Sequence, residues 1–283
     1  MARFIALTGL PRSGSTLCCH LVSESEDAVA LVEPMDVMAL DASDHSHAAA
    51  QVQAFFEQSA VSLLARGEAP TVHAAGHVPD NPYGTERTQD GLRARVVTEV
   101  GTTHFDKRLS PDFLLMVKHN AAFAALLPAL GKRMEVFALM RNPLAVLCSW
   151  QTVPIPPQRG HALAAEHFDI ALRQELAGKA DVLDRQIVLL EWFFSRYRDF
   201  VPAGNRFHYE DIVLTAGGAL RDRLGLAPPL AIAPLQERNS NRAYQGVDVA
   251  RLADRLLTVD GAWTPFYPRA TIERLSAQML GGR

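Results

Sequence analysis

The chain opens on a short apolar run, Phe4-Ile5-Ala6-Leu7, which breaks into Gly9-Leu10-Pro11-Arg12-Ser13-Gly14-Ser15-Thr16 and then into a helical pattern over Ser15–Ser23. A buried strand that passes into a helix through a glycine-bounded loop belongs at the carboxyl edge of a parallel sheet. Four residues separate Gly9 from Gly14, and Thr16 follows one residue later, which is the Walker A frame. Successive backbone N–H groups in such a loop turn inward and, with the N-terminus of the following helix, form a concave anion site. Ser13, Ser15 and Thr16 add hydroxyl donors. One position departs from the frame. Ser15 stands where a kinase or ATPase carries the lysine that meets the β- and γ-phosphates. The cation is Arg12, inside the loop.

Further apolar runs read as strands: Ala28–Val32, residues 113–117, Glu135–Met140 and, more weakly, residues 206–209. Amphipathic stretches read as helices at residues 48–65, 121–130, 143–151, Val182–Phe200 and 270–280. Continuous apolar strands separated by helices predict an α/β fold with a P-loop-type parallel β-sheet of about five strands and helices on both faces. The expected organisation is a single domain over residues 1–283, with a substrate-side insertion around residues 35–110. Residues 70–91 and 237–246 read as long loops.

The 283 residues carry a formal net charge of -3, with 48% hydrophobic and 21% charged residues. That balance suits a globular core and argues against nucleic acid as the main partner, which calls for a clustered basic excess. Cys18, Cys19 and Cys148 lie in apolar runs and read as buried thiols. The pairs His45/His47 and His73/His77 have no cysteine or acidic partner, so no metal is expected. No signal peptide is legible, and no run reaches the roughly 18 apolar residues of a membrane span. The expectation is a cytoplasmic protein.

A second anchor lies at Arg141-Asn142-Pro143. It ends a strand, Asn142 can cap the helix that Pro143 starts, and Ser149 follows two turns into that helix. The planar fork of Arg141 suits a phosphate. Together the two anchors resemble the sulfotransferases that use 3′-phosphoadenosine 5′-phosphosulfate (PAPS), in their bacterial and carbohydrate-type branch. Pro11-Arg12-Ser13-Gly14-Ser15-Thr16 matches that family's 5′-phosphosulfate loop, Pro-(Arg or Lys)-Ser-Gly-(Thr or Ser)-Thr, at every position. Arg141-Asn142-Pro143 with Ser149 resembles its 3′-phosphate motif, with Asn142 in place of an aspartate. Val117-Lys118-His119-Asn120, Leu126–Leu130, Glu191-Trp192 and His208–Ile212 resemble further family segments. The resemblance spans residues 4 to 214 with gaps.

The resemblance implies sulfuryl transfer from PAPS to an acceptor hydroxyl of a sugar, lipid, peptide or small metabolite, by in-line displacement. It implies Glu33 as the base that takes the acceptor's proton, with Asp36 and His119 as rivals. Lys118 and Arg12 are expected to face the sulfate or the leaving oxygen. The implied cofactor-binding set is Arg12, Ser13, Gly14, Ser15, Thr16, Arg141 and Ser149, and Arg238 and Arg242 are open candidates near the 3′-phosphate. Two other readings compete: a nucleotide-binding protein of the same fold without catalysis, and a divergent P-loop kinase or NTPase.

Overall fold

The computed structural model describes residues 2–73, 80–96, 99–227 and 233–281. Its strands are β1 (Arg3–Gly9), β2 (Ala28–Val32), β3 (Glu68–His73), β4 (Tyr83–Arg87), β5 (Arg93–Arg95), β6 (Glu99–His104), β7 (Leu114–Lys118), β8 (Glu135–Met140) and β9 (Arg206–His208). Its helices are α1 (Ser15–Ser23), α2 (His45–Arg66), α3 (Asn120–Leu130), α4 (Pro143–Trp150), α5 (Leu163–Phe168), α6 (Ile170–Ala177), α7 (Val182–Phe200), α8 (Tyr209–Leu214), α9 (Gly218–Leu224), α10 (Val249–Leu257) and α11 (Arg269–Gly281).

The five strands read from apolar runs form one sheet, ordered β2-β7-β1-β8-β9, and every neighbouring pair is parallel. Alternating side chains enter two separate cores, as strands covered on both faces require. Ala6, Val29, Leu31, Leu115, Val117 and Ala138 pack with α2, α3, α4 and α7. Ile5, Leu7, Ala30, Met116, Phe137 and Leu139 pack with α1, α8 and α9. The fold is therefore α/β with helices on both faces of a parallel sheet.

The register brings the carboxyl ends of the strands level. Lys118 lies opposite both Leu7 and Val32, Gly9 opposite Leu139, and Met140 opposite His208. The residues that follow each strand consequently gather on one edge of the sheet, where open α/β sheets bind ligands.

Between β2 and β7 lie α2 and two small antiparallel pairs, β3 with β6 and β4 with β5. Residues 70–91 are thus not one loop: Pro70–His73 belongs to β3 and Tyr83–Arg87 to β4. Pro70, opposite Thr102, is tolerated because both strands of a two-stranded sheet are edges. The Thr71 hydroxyl accepts the Val32 N–H at 2.9 Å and ties this unit to β2.

Lys107 fastens the end of α1 to the start of β2. Its Nζ donates to the carbonyls of Ser23, Ser25 and Ala28, each at 2.7 Å. Lys107→Met removes three charge-assisted bonds at once and is expected to cost about 2–3 kcal/mol. A denaturant midpoint equal to that of the parent chain would contradict this role.

Candidate active site

The loop from Gly9 to Thr16 is held from outside. Trp150 Nε1 donates to the Pro11 carbonyl at 2.8 Å, and Ser13 N donates to the Leu10 carbonyl at 2.9 Å. Gly14 sits at φ 99°, and a Cβ there would meet Tyr209 Cδ2 at 2.8 Å, so the position requires glycine on both counts. Gly14 caps α1 without a side-chain bond, which leaves the first-turn amides to the cavity beyond. Ser13 Oγ is buried and has no protein partner. Ser15 and Thr16 line the cavity.

Arg12 adopts φ 73°, a left-handed conformation that costs a non-glycine residue about 1–2 kcal/mol. Its partners among the described residues are neutral: Ser149 Oγ at 3.3 Å, Asn81 Oδ1 at 3.1 Å and the Tyr83 ring, whose centroid is 4.9 Å away. Burial, reinforced by the neighbouring Arg93 and Arg141, lowers its pKa to about 10, so it stays cationic near neutral pH. A charge confined in a strained backbone among neutral partners lacks a counter-ion that an anionic ligand can provide.

Arg141 is buried and largely engaged by the protein. It donates from Nε to Asn239 Oδ1 at 2.7 Å, from Nη1 to the Arg12 carbonyl at 2.8 Å, and from Nη2 to the Arg238 carbonyl at 2.7 Å and the Tyr244 hydroxyl at 3.4 Å. Four bonds meet its five N–H donors. It stacks on Tyr209 at 4.5 Å. Arg141 therefore joins the phosphate loop to the segment around Arg238 and still faces the cavity. Asn142 caps α4, accepting the Leu144 N–H at 3.0 Å. Glu210 fastens this corner, accepting from Asn142 N at 3.0 Å, Asn239 Nδ2 at 2.9 Å and the Tyr267 hydroxyl at 2.8 Å.

Glu33 and Lys118 meet at the ends of β2 and β7. Lys118 Nζ donates to Glu33 Oε1 at 2.7 Å, and Glu33 N donates to the Lys118 carbonyl at 2.9 Å. The lysine is buried, whereas the Glu33 carboxylate is 42% exposed, toward the cavity. Glu33 adopts φ 44° and is the second strained non-glycine residue at this edge. Lys118 holds the Glu33 carboxyl down at about 2 against the opposing effect of burial.

The two rival bases differ in what remains open to them: His119 has its lone pair engaged, and Asp36 keeps one carboxylate oxygen without a hydrogen bond among the described residues but is not among the cavity-lining residues. His119 Nε2 accepts the Met35 N–H at 3.2 Å, so in the neutral ring Nδ1 carries the proton and no lone pair is left. Burial lowers its pKa to about 4. Asp36 is exposed, and its Oδ1 caps a 3-10 turn over Val37–Ala39 by accepting the Met38 N–H at 3.1 Å.

The depressed His119 pKa makes a stability prediction. The unfolded histidine binds a proton below about pH 6.5, while the folded one resists until about 4, so stability is full above the first value and falls as pH drops between the two. The loss approaches about 3 kcal/mol at the lower end. His119→Gln should flatten that slope in denaturant midpoints taken across the window; an unchanged slope would assign it to other groups.

These groups surround one cavity of about 610 Å³. Among the described residues, six cationic side chains line it, Arg12, Arg93, Arg95, Lys118, Arg141 and Arg238, against two carboxylates, Glu33 and Asp80. In a chain of net charge -3, that concentration marks an anion site. Arg238 lines the cavity and pairs with Asp80 at 3.7 Å, whereas Arg242 is exposed and not among the lining residues. Sequence reasoning missed Tyr83, Arg93 and Arg95. The Arg-x-Arg alternation of the short β5 is the one signal that could have shown the latter two.

His45 Nε2 lies 2.9 Å from the Phe168 carbonyl, and His77 lies outside the described residues. Among the described residues no group of three His, Cys, Asp or Glu side chains could hold a metal ion, and no helix is long and apolar enough to cross a membrane. Cys18, Cys19 and Cys148 are buried and form no disulfide among the described residues. No family model and no curated protein matches the chain.

Proposed function

We propose that the chain is a sulfotransferase that moves a sulfuryl group from PAPS to an acceptor hydroxyl. The observation that carries this reading is the meeting, in one cavity, of a lysine-free phosphate loop bearing Arg12 with the Glu33–Lys118 pair. The residues present fit the donor's chemistry. Uncapped α1 amides offer donors to an anion, and Arg12 has no acidic partner among the described residues. Arg141, with Ser149 beside Arg12, adds donors for a second phosphate.

When bound, the donor supplies a sulfuryl group whose bond to a phosphate oxygen breaks as the acceptor oxygen bonds to sulfur. Glu33 takes the acceptor's proton on a carboxylate oxygen. Lys118 and Arg12 offset the negative charge left on the departing oxygen. With its pKa at about 2, Glu33 is a weak base while Lys118 holds it. An anionic ligand that shares Lys118 loosens the pair and raises the basicity of Glu33. Base strength is thereby coupled to donor occupancy.

The same tight pair favours the second reading, a nucleotide-binding protein without catalysis, if the carboxylate is never released. Transfer of labelled sulfate from PAPS to a mixed acceptor panel separates the two. Sulfated product from the parent chain, lost in Glu33→Gln with affinity for 3′-phosphoadenosine 5′-phosphate intact, supports the enzyme. Binding of that bisphosphate without product from any acceptor supports the binding protein.

A further inference from the structure

The cavity has two chemically distinct ends. The cationic end is formed by the phosphate loop, Arg93, Arg141 and Arg238. Beside Glu33, whose charged neighbours are Lys118 and Arg95, the lining gains an apolar stretch. The chain leaving Glu33 contributes Met35, Val37 and Met38, and α5, which packs against that turn, contributes Leu163. Pro154 and Ile155 complete this lining.

Met38 is 49% exposed and Leu163 57% exposed, a large apolar surface to leave facing an open site. Three polar groups beside this stretch are engaged within the protein. Asp36 Oδ1 binds the Met38 N–H, His119 Nε2 binds the Met35 N–H, and His167 Nε2 lies 3.3 Å from the Leu40 carbonyl. A sugar presents several hydroxyls, each needing a partner once water is removed. An alcohol on an apolar body needs one.

From these features we infer that the acceptor is an amphiphilic alcohol, with one hydroxyl delivered to Glu33 and a hydrocarbon body lying on Met35, Val37, Met38 and Leu163. The choice of a hydroxyl rests on the transfer reading above; the apolar body rests on the lining alone. Two methionines suit hydrocarbon ligands of differing outline because the thioether chain adapts its rotamers.

The test is a titration of methyl-labelled methionine chains, following the Met35 and Met38 signals, with n-alkanols from butanol to octanol and with glucose and N-acetylglucosamine. Each arm is run with and without saturating 3′-phosphoadenosine 5′-phosphate. Affinity is expected to rise about fourfold per added methylene until the lining is covered, with no saturable response to either sugar. Met38→Asp and Leu163→Asp, both at half-exposed positions that spare the core, should each weaken octanol by tenfold or more and leave bisphosphate affinity within twofold. Absence of a chain-length dependence in both arms, or a sugar that binds as tightly as octanol, overturns the inference. A retained chain-length dependence in a chain that fails to bind the bisphosphate supports the apolar subsite and rejects the sulfotransferase reading instead.

Discussion

Lys118→Met is expected, under the proposed transfer reaction, to lower turnover about a thousandfold while affinity for 3′-phosphoadenosine 5′-phosphate stays within about tenfold, because the substitution leaves the loop and Arg141 in place. The side chain is 5% exposed and its ammonium lies 2.7 Å from Glu33 Oε1. A charge fixed in a site of low dielectric acts on developing negative charge without first reorganising. The substitution also releases Glu33. Because Lys118 is the largest influence that lowers the Glu33 pKa, its loss moves the carboxyl up toward the ordinary glutamate range. Labelled-carboxyl spectra should then show Glu33 titrating at a higher pH in the variant than in the parent chain. The two readouts are separable. A stronger base with slower turnover assigns the loss to the missing cation. Unchanged turnover removes Lys118 from the mechanism.

Arg141→Ala is expected to cost about 3–5 kcal/mol of stability. The residue is buried at 5% exposure, and its removal strands the Arg12 carbonyl, the Arg238 carbonyl and Asn239 Oδ1 together. A buried acceptor that loses its donor incurs its full desolvation cost. Denaturant midpoints measure the effect, and a variant as stable as the parent chain would show that these bonds do not hold the loop. Arg141→Lys separates structure from binding. It keeps the charge but loses the planar fork that reaches several acceptors, so part of the stability should return while bisphosphate affinity stays at least about tenfold below the parent value. Full recovery of affinity would mean that Arg141 serves only as a brace.

The central sheet was legible because strands buried on both faces must be continuously apolar. Ala28–Val32 and Glu135–Met140 stand in the structure with the bounds read from sequence, as do the helices Ser15–Ser23 and Val182–Phe200. The β3–β6 region was not legible. β5 has three residues, β4 is mostly polar, and β3 contains Pro70, so none carries the pattern of a buried strand. The pairing of β3 with β6 depends on register between segments some thirty residues apart, which local pattern does not encode.

The site divides in the same way. The loop from Gly9 to Thr16 could be read because its chemistry is contiguous. The Glu33–Lys118 bond joins residues 85 apart and exists only through the parallel register of β2 and β7. The sequence suggested Arg141 as a phosphate ligand, and the structure adds that its fork also holds the Arg238 carbonyl, 97 residues away. His119 and Asp36 looked available as bases. A hydrogen bond from Met35 N, invisible in the sequence, occupies the lone pair of His119, and Asp36, which caps the Met38 N–H, is not among the cavity-lining residues.

The chemistry of the phosphate loop is tested most directly by calorimetric titration of the whole chain with 3′-phosphoadenosine 5′-phosphate, ATP and GTP, each with and without magnesium. Arg12 in place of the loop lysine, with Arg141 nearby, predicts tight binding of the bisphosphate alone, independent of magnesium. Magnesium-dependent preference for ATP or GTP would contradict the sulfotransferase reading and return the chain to the kinases and NTPases.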